Sequence, residues 1–114
     1  MCLDIGHANL LVESNTTDDL LMVYGSRLRH VHLHDNKGGN ADLHLPLGSG
    51  TIETRHYVRS LLASGYDGTI TLEVFTPDRQ HLAYSRNVLR NLWDEEAGAR
   101  RPKTPEPAAT LVTR

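Results

Sequence analysis

Arg29-His30-Val31-His32-Leu33-His34-Asp35-Asn36 is the stretch on which the reading of this chain turns. Apolar and polar side chains alternate through it, which predicts a β-strand over Leu28–His34. Val31 and Leu33 then point one way, and His30, His32 and His34 the other. Five of the seven histidines fall between His30 and His56. Imidazoles and carboxylates gathered at strand ends are how a protein holds a divalent metal.

Similar strands are predicted on either side. Cys2–Ile5 is strand-like, and Thr69–Phe75 sets Ile70, Leu72 and Val74 opposite Thr71 and Glu73. Helical signals separate them. Asn15-Thr16-Thr17-Asp18-Asp19 offers N-cap residues and first-turn acids, followed by Leu20, Leu21 and Tyr24 at helical spacing and a stop at Gly25. Thr51 is predicted to cap a second helix, whose Val58, Leu61 and Leu62 form an apolar stripe ending at Gly65. A third helix begins near Pro77-Asp78, with Leu82, Ser85, Leu89 and Leu92 as its stripe and Trp93 alongside. Strand–helix alternation, three times over, predicts an α/β fold with a parallel sheet. Asp4 and His32 are 28 residues apart, and His32 and Glu73 are 41 apart. The excess lies in the polar, Gly-rich loop Asp35–Gly50. From Glu95 onward the sequence is poor in apolar residues and rich in proline, so 95–114 is expected to be a disordered tail behind a domain spanning 1–94.

Bulk composition narrows the classes. A chain of 114 residues, 39% apolar, 23% charged and of net charge −2, fits one ordinary domain. The near-neutral balance makes nucleic acid an unfavoured partner and gives no case for a membrane surface. Cys2 alone excludes an internal disulfide and fits a reducing compartment. No apolar run approaches the roughly 18–20 residues of a membrane span. The N-terminus lacks the features of a signal peptide, so the cytoplasm is the expected location.

In a closed barrel of parallel strands, alternate residues face the interior. If Leu3, Ile5, Val31, Leu33, Ile70 and Leu72 pack under helices, then Asp4, His32 and Glu73 all face inward near the C-terminal ends of their strands. Taken singly, Asp4 reads equally well as a turn carboxylate, and His32 better as a hydrogen-bonded core histidine. Glu73 is costly on a buried face unless paired or metal-bound. Their common phase favours one shared divalent metal, Mn²⁺, Zn²⁺, Co²⁺ or Mg²⁺. His30 is expected to pack inside the barrel, His34 and Asp35 to shape its rim, and His56 and His81 to lie on helix surfaces.

Four pieces carry a family resemblance: Asp4-x-x-His7, His32-Leu33-His34-Asp35-Asn36, Asp42-x-His44 with Leu47-Gly48-Ser49-Gly50, and Thr71-Leu72-Glu73. In this order they resemble the C-terminal part of the xylose isomerase-like, endonuclease IV-like (β/α)8 barrels, over roughly residues 1–93. The resemblance implies a partial TIM barrel, with strands six, seven and eight present of a fold that takes roughly 250 residues. It implies Asp4, His32 and Glu73 as metal ligands, Glu73 and His7 as catalytic residues, and His7, Asp42 and His44 as holders of a second metal or of substrate. The implied activity is a metal-dependent isomerisation or epimerisation of a sugar or sugar phosphate through a cis-enediolate. The alternatives are a zinc-dependent phosphodiesterase on abasic DNA and a truncated, non-catalytic product.

The family's remaining glutamate ligand and one acid–base residue belong to an earlier strand, which this chain lacks. Three strands leave two open edges and a bare sheet face. Self-association, or pairing with the missing N-terminal part of the barrel, is therefore expected, and the absent lead-in before the Cys2–Ile5 strand points to truncation.

Overall fold

The computed structural model describes residues 1–100, in which three strands alternate with three helices. These are β1 (Cys2–Asp4), α1 (Thr17–Tyr24), β2 (His30–Leu33), α2 (Thr54–Ala63), β3 (Thr69–Leu72) and α3 (Arg79–Arg100). The strands form one parallel sheet in chain order, β1-β2-β3. Register sets Asp4 beside His32 and His32 beside Thr71. One further ladder bond, from the Glu73 N–H to the Leu33 carbonyl (2.9 Å), carries the pairing past the end of β3.

The period-two pattern is realised as a two-faced sheet. Leu3, Ile5, Val31 and Leu33 are all at most 2% exposed, and they form the core with Leu28, Leu47, Ile52, Leu61 and Tyr66. Leu20 and Leu21 of α1, Tyr57 of α2, and Val88, Leu89 and Trp93 of α3 pack against it. Each fully buried aliphatic side chain contributes about 1.5–3 kcal/mol, so this single layer of contacts holds the helices on one face. The other face carries Cys2, His30 and Thr69, all exposed, and the half-buried Asp4, His32 and Glu73. His30 thus lies open rather than packed in a barrel interior, because no described element covers it.

Two boundaries and one helix face differ from expectation, each for a local reason. Helix α2 starts at Thr54 and not beside Thr51, because the Thr51 amide (2.8 Å) and hydroxyl (3.3 Å) both donate to the Asn36 carbonyl. Of the expected α3 stripe, Leu89 and Trp93 pack against the core, whereas Leu82 is 43% exposed; Ser85 is fully buried, and its hydroxyl accepts the Leu47 amide at 3.0 Å. The helix also continues past Asp94 to Arg100. Glu96 explains that extension, since it accepts from Arg55 Nη1 and Arg59 Nε, both at 2.7 Å, and so ties α3 to α2. The rest of the expected tail, 101–114, lies outside the described residues. At the β3 edge, Leu62, Ile70, Leu89 and Trp93 line an apolar groove, as an open sheet edge requires.

Asp18 joins α1 to α2 by accepting from the Ser60 hydroxyl (2.7 Å) and pairing with His56 Nε2 (2.6 Å). Desolvation opposes its charge, but these two hydrogen bonds and the His56 charge prevail and hold its pKa below the ordinary value. A depressed carboxyl contributes stability that is present above its unfolded pKa, about 3.9, and lost as pH falls through the native value. Asp18→Asn is therefore expected to lower stability near neutrality by under about 1 kcal/mol, as suits a half-exposed pair. The deficit should vanish in strong acid, as urea titrations at several pH values would reveal; a deficit independent of pH would contradict it.

Candidate metal centre

Asp4, His32 and Glu73 meet where the phase of the strands puts them. His32 Nδ1 lies 3.2 Å from Glu73 Oε2 and 3.9 Å from Asp4 Oδ2. One donor atom from each of the three falls within 4.8 Å of the others. Donors about 2.1 Å from a common cation, at tetrahedral or octahedral angles, stand roughly 3.0–3.4 Å apart, so the His32–Glu73 spacing already fits and the Asp4 carboxylate has to draw closer. An imidazole with two carboxylates is also the mixed donor set that suits a divalent ion of borderline hardness.

A second cluster lies beside the first. His7, His34, Asp42 and His44 again bring one donor atom each to within 4.8 Å of one another. His7 comes from a 3-10 turn just after β1, its backbone N–H held by Asp4 Oδ1 at 2.9 Å. Its two ring nitrogens both face carboxylates, Nδ1 to Asp4 Oδ2 and Nε2 to Asp42 Oδ2, each at 2.9 Å. A neutral imidazole has one N–H to give, so one of these contacts calls for a second proton or a cation. His44 repeats the situation: Nδ1 donates to the Glu73 carbonyl (2.8 Å) and leaves Nε2 facing Asp42 Oδ1 at 3.0 Å. Nitrogen lone pairs turned toward carboxylates are what a divalent cation satisfies, and both groups pass that test of chemistry.

His44 stands in the left-handed backbone region, at φ 48°. Non-glycine residues are uncommon there, and the conformation costs about 1–2 kcal/mol. It is held by the Nδ1 bond, by the Phe75 amide donating to the His44 carbonyl (3.1 Å), and by stacking of the ring between His34 and Phe75, at 3.9 and 4.4 Å. The strain aims the imidazole at Asp42.

His34 and Asp35, which the sequence placed at the rim, prove to be buried, and so is Asn36 beside them: each is at most 1% exposed. His34 Nε2 donates to Asp4 Oδ1 at 3.0 Å. Asp35 accepts four backbone amides, those of Asn36 (2.8 Å), Gly48 (3.0 Å), Gly50 (3.0 Å) and Ile52 (3.1 Å), and so shapes the loop that carries His44. Asn36 donates to the Gly6 carbonyl and accepts from Asn9, both at 2.9 Å. Each residue ties the end of β2 to a different segment.

Charge follows the geometry. Burial acts against the Asp4 carboxylate, but the hydrogen bonds from His34 and the His7 backbone outweigh it and lower its pKa. Burial likewise opposes a charged His34, yet the bond to Asp4 and the charges of Asp4, Asp42 and Glu73 raise its pKa. Slight desolvation of Asp42 is overcome by His7 and His44, which lower its pKa.

The site sits on a fold with known relatives. Over 87% of its length the chain superposes on 36% of a D-tagatose 3-epimerase-like protein, with a TM-score of 0.73 and 29% identity. An uncharacterized protein of Methanocaldococcus jannaschii is 40% identical over 70 residues, 61% of this chain and 24% of that protein. One from Mycobacterium tuberculosis is 41% identical over 81 residues, 65% of this chain and 29% of that protein. Fructoselysine 3-epimerase of Escherichia coli O157:H7 is 36% identical over 52 residues, 46% of this chain and 18% of the enzyme. The chain thus spans less than a third of the length of these curated relatives. No described helix is long and apolar enough to cross a membrane. The model of the xylose isomerase-like TIM barrel matches residues 1–98, and the chain belongs to that family.

Proposed function

We propose that residues 1–94 supply strands six to eight of a barrel that isomerises or epimerises an open-chain sugar or sugar phosphate. The observation that carries this reading is the convergence of Asp4, His32 and Glu73 at the C-terminal ends of three parallel strands, where active sites of this architecture are built. A divalent cation, which these three residues would hold, would supply Lewis acidity toward the substrate carbonyl. Glu73 projects from the sheet face that would line the barrel, and its carboxylate takes the proton from the carbon next to the carbonyl. Returning that proton to the former carbonyl carbon, while the hydroxyl proton passes to the former carbonyl oxygen, isomerises the sugar; delivery of a proton to the opposite face of the original carbon, by a group from another strand, epimerises it. His7, about half-exposed at the rim, would reach a substrate hydroxyl through Nε2 by giving up its contact with Asp42, while Asp4 holds Nδ1 and orients the ring. The other wall, with a further carboxylate ligand and the second acid–base group, comes from strands outside these three. Self-association or a complementary barrel portion would provide it, and a reducing, cytoplasmic setting suits the exposed thiol of Cys2.

The second cluster supports one further reading, a zinc-dependent phosphodiesterase in which His7, Asp42 and His44 hold an additional ion. A chimera separates the two: residues 1–94 replace the matching part of a full-length relative. Ketose C–H exchange in deuterated water is expected from it, and cleavage of abasic-site DNA without exchange would favour the phosphodiesterase. For the chain itself, calorimetry should detect Mn²⁺ or Zn²⁺ binding that weakens by at least roughly tenfold in His32→Ala and in Glu73→Gln. Unchanged binding in both variants would sink the shared-cation reading.

A further inference from the structure

We propose that His34 is a positioning residue: its Nε2–H turns the Asp4 carboxylate so that Oδ2, and not Oδ1, is presented to the cation shared with His32 and Glu73. This inference rests on the reading of Asp4, His32 and Glu73 as the cation site.

The two oxygens of Asp4 have separate partners. Oδ1 accepts from His34 Nε2 at 3.0 Å and from the His7 backbone at 2.9 Å, so two donors of the chain occupy it. Oδ2 faces His7 Nδ1 at 2.9 Å and His32 Nδ1 at 3.9 Å, on the side where the candidate ligands gather. The division sets the rotation of the carboxylate about its last bond, which an aspartate at a strand end does not otherwise fix.

The ring of His34 is itself clamped. A Cβ on Gly6 would overlap Cε1, Nε2 and Nδ1 of the imidazole, so the absence of that atom is what admits the ring. His44 stacks on it at 3.9 Å with 22° between planes, and His7 meets it edge-on at 4.9 Å. Clamping on all sides transmits orientation to Asp4, which a mobile side chain could not do. Stability alone does not explain an imidazole here. The ring is 0% exposed, and its Nδ1 is buried without a hydrogen-bond partner. Burying an unpaired polar atom is unfavourable, and an aliphatic side chain of similar volume would avoid it. Among the described residues the Asp4 bond is the sole hydrogen bond this ring makes, and it acts on a candidate ligand. Partners of this kind, which orient the ligands of a metal, change affinity when removed although they never touch the ion.

The test uses the full chain in two parts. In the metal-free protein, ¹⁵N spectra of the His34 ring should show a proton on Nε2, since a carboxylate only accepts; a ring protonated on Nδ1 alone overturns the proposal. Mn²⁺ affinity is then measured for the natural chain, His34→Leu and His34→Gln, with amide spectra to confirm folding. The leucine variant lacks the donor at similar volume, whereas the glutamine amide reaches the place of Nε2. A loss of roughly 10–100-fold is expected for His34→Leu, with most of it recovered in His34→Gln. Should the leucine variant fail to fold, His34→Asn replaces it, its shorter amide falling short of Oδ1; equal affinity in the asparagine and glutamine variants overturns the proposal. Natural affinity in a folded His34→Leu does the same while leaving the cation site intact. No binding by the natural chain overturns both the site and the proposal.

Discussion

Asp35→Ala is expected to lower unfolding free energy by about 3–5 kcal/mol, the largest loss from any single truncation in the described structure. The reason is a concentration of donors on one carboxylate. Oδ1 accepts the amides of Asn36 and Ile52, and Oδ2 those of Gly48 and Gly50. Alanine strips all four of their acceptor inside a region that is 1% exposed. A buried donor without a partner costs about 1–3 kcal/mol, and the loop can relax enough to rehydrate only some of the four. Asp35→Asn offers a sharper comparison. Its volume is nearly unchanged, but one oxygen becomes an NH₂ that faces two N–H groups, so asparagine should not restore stability. Urea unfolding followed by circular dichroism and Trp93 fluorescence measures both. A loss under about 1 kcal/mol in either variant would show that the loop is held by something else. The damage should reach the metal centre as well, because His44 sits on the same loop and its neighbour Leu45 exchanges both backbone bonds with Asp35.

Gly6→Ala is the second substitution with a large expected effect, and its cause is room and not backbone conformation. Gly6 has φ −63° and ψ −50°, ordinary right-handed values open to any residue. The added methyl would instead overlap three atoms of the His34 ring, which His44 blocks on its far side. Overpacking of this kind costs about 1–3 kcal/mol and sometimes more. The ring must move, and the Asp4 bond moves with it. A double-mutant cycle isolates the clash: in Gly6→Ala/His34→Ala the new methyl enters space the imidazole has left, so the pair should be less destabilised than the sum of the single changes. Additive losses, within about 0.5 kcal/mol, would place the cost of the methyl elsewhere.

Side-chain phase was legible in the sequence and contact partners were not. Val31 and Leu33 against His32, or Ile70 and Leu72 against Glu73, report their faces through a period of two that needs no knowledge of neighbours. The expected grouping of Asp4, His32 and Glu73 came from that phase, and their donor atoms do lie together. Alternation also put His34 on the face of His32, but its burial depends on a missing Cβ at Gly6, a residue 28 positions away. The role of Asp35 was hidden for the same reason, since three of its four amides belong to residues 48–52. Thr51 has the composition of a helix cap, yet its hydroxyl is engaged by Asn36. The left-handed backbone of His44 has no signature beyond a modest tolerance of histidine for that region.

The strand order has a consequence for motion. β2 is paired on both sides, whereas β1 and β3 each have a single partner in the sheet. Amide hydrogen exchange should therefore be slowest along β2 and faster at the flanking strands, which open at lower free energy. His32 rides on the slowly opening strand, while Asp4 ends β1 and Glu73 lies just beyond β3. The three candidate ligands thus differ in how long they stay in place: one fixed leg and two that fray, whose dwell times a third contact, such as a cation, would lengthen together.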